Sequence, residues 1–174
     1  GQLEDGRLYF TMKEVKGKPL SEIIAEVHAA STDNIWQPSK SGWTFRKLLN
    51  IFVQVCTATA FANRRGVIHR DLKPENILIG NFDQVLVVDC GIAKVLGQQQ
   101  TKLHGTETLV TSSKSETNKT KFGEVAGTPA YMAPEQARGE VHNIDQRTDV
   151  YALGTILYEI LSGRTPYGGA SFQN

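Results

Sequence analysis

The sequence predicts a mixed α+β domain, mainly helical, with one small antiparallel β-hairpin. Three observations carry that class. Apolar residues recur at helical spacing through two long stretches, one following Thr44 and one following Asp149. Two short apolar runs, Ile77 to Ile79 and Val85 to Val88, flank the turn-forming Gly80-Asn81-Phe82-Asp83. The elements run strand, helices, hairpin, loop, helix, which is not the strand–helix alternation of a parallel sheet.

Leu8-Tyr9-Phe10-Thr11-Met12 reads as a strand, ended by a Lys-Gly-Lys-Pro turn at 16 to 19. Pro19 suits the first turn of a helix built on Leu20, Ile23, Ile24 and Val27. Residues 29 to 42 are polar and turn-rich and read as a loop. Phe45, Leu48, Leu49, Phe52, Cys56 and Ala60 mark one face of a long amphipathic helix, with Thr44 as its N-cap and Gly66 past its end. After the hairpin the composition shifts. Gly97 to Lys121 holds six Thr, three Ser, four Lys, three Gln and no aromatic residue, too little apolar surface to build a core. The last helix lines Val150, Leu153, Ile156, Leu157, Ile160 and Leu161 along one face and closes at Gly163.

At roughly 150 residues per domain, 174 residues favour one unit. The 19 Lys plus Arg against 18 Asp plus Glu leave a charge of +1, no footprint for nucleic acid or an anionic membrane. Cys56 and Cys90 are too few and too far apart for a disulfide framework or a CxxC metal site, so a reducing, cytoplasmic setting is expected. No apolar run reaches the roughly 18 residues of a membrane span; Val150 to Leu161 is interrupted by Gly154, Thr155 and Glu159. Glu4, Asp5 and Arg7 speak against a signal peptide. The chain opens without Met and stops at Gly168-Gly169-Ala170-Ser171-Phe172-Gln173-Asn174 without a closing element, so it is expected to be a segment of a longer protein.

Four motifs then fall in order. Residues 69 to 76 read His-Arg-Asp-Leu-Lys-Pro-Glu-Asn, Asp89-Cys90-Gly91 follows the hairpin, Gly127 to Glu135 ends in Ala-Pro-Glu, and Asp149 opens the last helix. Asp71 is a carboxylate on a short loop, suited to accept or orient the proton of an attacking hydroxyl. Asn76 and Asp89 supply hard oxygen donors for a metal ion that bridges phosphates. Lys73 can place a point charge beside a transferring phosphoryl group. Singly, each residue reads as well as an ion pair or a turn; together, in this order, they read as a phosphoryl-transfer site.

These motifs resemble the eukaryotic-type, Hanks-type protein serine/threonine kinases, in a bacterial-like form, over nearly the whole chain. Residues 69 to 76 match the family template at every fixed position, and Ala133-Pro134-Glu135 matches fully; Cys90 stands where Phe is usual. The resemblance implies a protein kinase-like fold: residues 1–17 as a remnant of an N-lobe strand plus hinge, and 18–174 as a partial, mainly helical C-lobe with an activation segment at 89–135. It implies Asp71 and Lys73 as catalytic groups and Asn76 and Asp89 as magnesium ligands, with manganese as an alternative ion. Met12, Lys13, Val15 and Leu78 are implied to surround the adenine of ATP, although Met12 reads equally as strand core. Thr128 is implied in protein-substrate docking, and Lys73 with Thr128 looks like the serine/threonine branch. Asp149 is implied to hold the loop backbone and His69 to sit in an internal stack.

Arg70 before Asp71 is the pattern of kinases ordered by a phosphorylated loop. One of Thr106, Thr108, Thr111, Ser112, Ser113, Ser115, Thr117 or Thr120 would then carry the phosphate, placed there by self-phosphorylation through dimerisation. A solvated insertion is the equal alternative reading of that stretch. The glycine-rich loop, the strand lysine and the helix glutamate of the family have no match in the sequence, so the 174-residue segment alone is expected to be inactive. Glu135 is implied to pair with a downstream Arg; a buried carboxylate stripped of it would cost about 3–5 kcal/mol. The rival functions are a pseudokinase scaffold, supported by Cys90 and the long loop, and a small-molecule phosphotransferase, which the docking-like segment 127–135 disfavours.

Overall fold

The computed structural model describes residues 15–32, 35–89, 94–95 and 128–167. The expected strand 8–12 lies outside them, as do Met12, Lys13, Cys90, the stretch 97–121 and each of its Ser and Thr residues.

Strand β1 (Lys18–Pro19) leads into helix α1 (Leu20–Ala30) and, after a loop, α2 (Phe45–Arg64). Then follow β2 (Val67–Ile68), β3 (Ile77–Ile79), β4 (Val85–Val87) and β5 (Lys94–Val95). A one-turn helix α3 (Pro134–Ala137) and the long α4 (Gln146–Ser162) complete the described fold. The hairpin is present, with Ile77 opposite Val87 and Ile79 opposite Val85. Its turn places Phe82 and Asp83 at positive φ, 60° and 57°.

The Lys-Gly-Lys-Pro turn is corrected in part. Lys18 and Pro19 pair antiparallel with Ile79 and Leu78, so among the described residues the sheet has three strands in the order β1-β3-β4. Among the described residues β1 is an edge strand, where the N–H that proline lacks breaks no ladder. The pairing of β2 with β5 was not expected from the sequence; two-residue strands leave no periodicity to read.

The long helices form where expected. Thr44 caps α2, its hydroxyl accepting the Lys47 amide at 3.2 Å, and Gly66 follows at φ 76°. The buried stripe of α2 is shifted, though: Leu48, Ile51, Val55 and Thr59 are buried, while Phe45, Leu49, Phe52 and Cys56 flank the core and Ala60 is exposed. In α4, Leu153, Ile156 and Ile160 are buried as expected, but Val150 and Leu161 are 60% and 53% exposed. Thr148, Asp149 and Thr155 take places on the buried face instead. A stripe drawn from apolar residues alone misplaces a helix whose inward face carries polar groups with partners.

The core joins Leu20, Ile23, Ile24 and Val27 of α1 to Leu48, Ile51 and Val55 of α2 and to Ile156 and Ile160 of α4. Each fully buried side chain of this kind contributes about 1.5–3 kcal/mol. Ile77 and Leu72 belong to the same cluster, so the loop between β2 and β3 is anchored directly to the core. His28, in the last turn of α1, donates from Nε2 to the Ile160 carbonyl at 3.0 Å and ties α1 to the end of α4.

Candidate active site

The loop 69–76 runs between two apolar anchors. Ile68 and Leu72 are both essentially fully buried, which holds His69, Arg70 and Asp71 in a short span with little freedom. Arg70 adopts a left-handed backbone, φ 73°, a conformation that costs a non-glycine residue on the order of 1–3 kcal/mol. Hydrogen bonds hold it there. Asp149, 1% exposed in the first turn of α4, accepts the Arg70 amide on Oδ1 and the His69 amide on Oδ2, both at 3.0 Å. Asn63 of α2 donates to the same Oδ2 at 2.8 Å and to the Val67 carbonyl at 3.0 Å. The Arg70 carbonyl in turn accepts Gln136 Nε2 at 2.7 Å.

The buried His69 ring serves the loop and the hairpin together. Its Nδ1 accepts the Asp71 amide at 3.3 Å, so the ring hydrogen sits on Nε2, which donates to the Val88 carbonyl at 3.1 Å.

Three side chains converge on Asp71. Oδ1 accepts the Thr128 amide at 3.0 Å and the Thr128 hydroxyl at 3.1 Å. Oδ2 lies 3.1 Å from Lys73 Nζ and accepts Asn76 Nδ2 at 3.2 Å. Lys73 Nζ also donates to Thr128 Oγ1 at 2.7 Å. Thr128 lies 57 positions from Asp71, so the fold has carried the start of the described segment 128–135 onto the loop. Both Asp71 and Lys73 keep an accessible edge, 15% and 21% of the side chain.

Asp89 leaves the hairpin beside Asn76, because the Val88 amide donates to the Asn76 carbonyl at 2.9 Å. Asp89 is exposed and, like Arg70, holds a positive φ, 64°; Asp tolerates this better than most residues. The donor set fits a magnesium ion bound with phosphate. The Asn76 amide turns its Nδ2 inward to Asp71, which leaves Oδ1 as a hard acceptor, and the exposed Asp89 carboxylate is a second hard oxygen donor. Among the described residues no cluster of three His, Cys, Asp or Glu side chains competes as a metal site.

Of the residues implied for adenine, Leu78 and Val15 are described. Leu78 is half-buried in β3 between Pro19 and Leu86, and Val15 is 39% exposed in the segment entering β1. Gly17 joins the two. A Cβ there would come 3.0 Å from Leu78 Cβ and 3.1 Å from the Ile79 carbonyl group, so a side chain at this position would make β3 give by a few tenths of an ångström. Arg70 is half-buried, and burial pushes its guanidinium below its ordinary range.

The expected burden of a bare Glu135 is corrected. Glu135 is half-buried, not buried, and accepts the Thr148 hydroxyl at 2.6 Å. Nearby, the buried Tyr131 donates its phenol to Glu159 Oε2 at 2.6 Å. Burial raises the Glu159 carboxyl above its ordinary value; the Tyr131 bond opposes this and neighbouring Glu75 adds to it. Asn63, Gln136, Thr148 and Glu159 were missed in the sequence. Only Glu159 left a signal there, as a charge inside an otherwise apolar helical stripe.

A mainly helical lobe that presents Asp71, Lys73 and Asn76 on one loop beneath a small sheet is the large lobe of a protein kinase fold. The chain belongs to the protein kinase domain family, whose model matches residues 3–174. It is 40% identical over 162 residues to the serine/threonine-protein kinase PknD of Protochlamydia amoebophila (strain UWE25), covering 91% of this chain and 16% of that protein. It is 38% identical over 171 residues to the serine/threonine-protein kinase pkn3 of Myxococcus xanthus, covering 96% of the chain and 26% of the relative. Against the serine/threonine-protein kinase PknB of Mycolicibacterium smegmatis the identity is 36% over 163 residues, covering 94% and 21%. The chain thus spans a small part of the length of these relatives.

Proposed function

We propose that the chain supplies the large-lobe half of a protein serine/threonine kinase that moves the γ-phosphoryl group of magnesium ATP to Ser or Thr hydroxyls of proteins. The observation that carries this is the convergence of Lys73 and Thr128 on the two oxygens of Asp71. Asp71 is the group that orients the attacking hydroxyl and takes its proton. Lys73 offsets charge on the transferred group, and Thr128 fixes both side chains. Bound magnesium supplies charge neutralisation at the phosphates, with Asn76 and Asp89 as its protein ligands. Leu78 and the segment from Met12 to Val15 form the adenine contact, and residues 1–17 the remnant of the small lobe.

The intact set of Asp71, Asn76 and Asp89 supports catalysis over a scaffold role. Proteins are the proposed substrates, because Thr128 brings the segment leading to Tyr131 and Met132 against Asp71. Self-phosphorylation in a dimer, on Thr106, Thr108, Thr111, Thr117 or Thr120, with Arg70 receiving the phosphate, is the proposed mode of activation. Among the described residues no helix is long and apolar enough to cross a membrane, and we place the domain on the cytoplasmic side. No GxGxxG occurs in the sequence, and the 174-residue segment by itself is proposed to be without transfer activity.

The test is transfer of labelled phosphate from magnesium ATP to casein by the full-length protein and by its Asp71→Asn variant. The variant is expected to lose about 10²–10⁴-fold in kcat with an unchanged melting temperature. Equal rates would sink the assignment of Asp71, and no transfer by the unsubstituted protein would favour the scaffold.

A further inference from the structure

The strained peptide at Arg70 is gripped on both sides. Its N–H is held by Asp149 from α4, and its carbonyl by Gln136 from α3. Gln136 is 4% exposed, and both ends of its amide are committed. Nε2 donates to the Arg70 carbonyl at 2.7 Å, while Oε1 accepts the Ala133 amide at 3.2 Å. The second bond fixes which end of the amide faces Arg70, because a backbone N–H can only meet an oxygen.

We infer that Gln136 is a positioning residue that couples the end of the 127–135 segment to the geometry of Asp71. The inference rests on the kinase reading and adds to it a route between the substrate-side segment and the proton-accepting carboxylate. A peptide in the left-handed region is unfavourable for Arg and relaxes once its restraints go. The amide of the next residue, Asp71, already makes a long bond of 3.3 Å to His69 and offers little restraint of its own. When the 127–135 segment moves, Ala133 moves, the Gln136 amide loses its orientation, and the Arg70 carbonyl loses its partner. The Asp71 side chain is then out of register with Lys73 and Thr128.

Two variants of the full-length protein test this. Gln136→Leu keeps the volume and removes both bonds; Gln136→Glu keeps the acceptor for Ala133 but donates to Arg70 only when protonated. Amide hydrogen exchange is read over residues 69–72 against α2 and α4, and kcat and KM for magnesium ATP are read in parallel. Gln136→Leu should speed exchange at 69–72 alone and lower kcat about tenfold with KM unchanged. For Gln136→Glu the ratio of its kcat to that of the unsubstituted protein should rise as pH falls from about 8 to about 6, as the buried carboxyl regains a proton to donate. Unchanged exchange at 69–72 would overturn the inference, as would loss of protection spread evenly over α2 and α4 in both variants. If the unsubstituted protein transfers no phosphate, the kinase reading fails, and exchange still decides the role of Gln136.

Discussion

Asp149 Oδ1 accepts the backbone amide of Arg70 at 3.0 Å across 79 positions of sequence, and this one contact ties the long helix α4 to the loop that carries Asp71. The other oxygen takes the His69 amide and the Asn63 side chain. A buried carboxylate with three donors around it is satisfied, and the donors depend on it in turn.

Asp149→Ala should therefore destabilise the fold by about 2–4 kcal/mol, because two buried backbone amides lose their acceptor together. Urea unfolding followed by circular dichroism checks it; a midpoint within error of the unsubstituted protein would show that the amides find other partners.

Thr128 separates hydroxyl chemistry from bulk. Its Oγ1 accepts from Lys73 and donates to Asp71, so Thr128→Ser should keep most activity while Thr128→Ala lowers kcat about tenfold. Steady-state kinetics with a protein substrate gives the answer, and equal losses in both variants would point to the methyl group instead.

Glu159 sets a pH dependence of stability. Its carboxyl is raised in the fold, chiefly by burial, so the protonated form is the one that folding favours. That contribution is fully present below the unfolded value of 4.5 and fades as pH rises through the higher folded value. Glu159→Gln mimics the protonated form and keeps an acceptor for Tyr131. Its stability relative to the unsubstituted protein should grow as pH rises from 4.5, and a difference that stays flat with pH would contradict the assignment.

Gly163 ends α4 at φ 72°, and a Cβ there would lie 2.8 Å from His28 Nδ1. The His28 ring cannot easily yield, since its Nε2 holds the Ile160 carbonyl. Gly163→Ala should cost about 1–2 kcal/mol by thermal melting, and less in a His28→Ala background where the close contact is gone.

Much of this was legible in the sequence. The hairpin follows from two apolar runs around a turn, and α2 from its Thr44 cap and Gly66 stop, all local signals. The strand at Lys18–Pro19 was not legible, because it exists only through its pairing with β3. Nor was the rotation of α2: each residue turns the helix by about 100°, and Thr59 is buried where an apolar count would leave it outside.

The sequence by itself determined the class of fold and the family, and it singled out Asp71, Lys73, Asn76 and Asp89 as the candidate site, because the family's motifs are residue types at short fixed spacing. Asp149 as a support of the loop was already implied by the family resemblance; tertiary structure alone decided the rest of what holds them: Gln136 on the Arg70 carbonyl, Thr128 on Asp71, Thr148 on Glu135. Those partners come from distant elements, except that Thr148 lies 13 positions from Glu135. Each pairing depends on how a helix is rotated and packed, and hydrogen bonds tolerate only a few tenths of an ångström in where that leaves the donor.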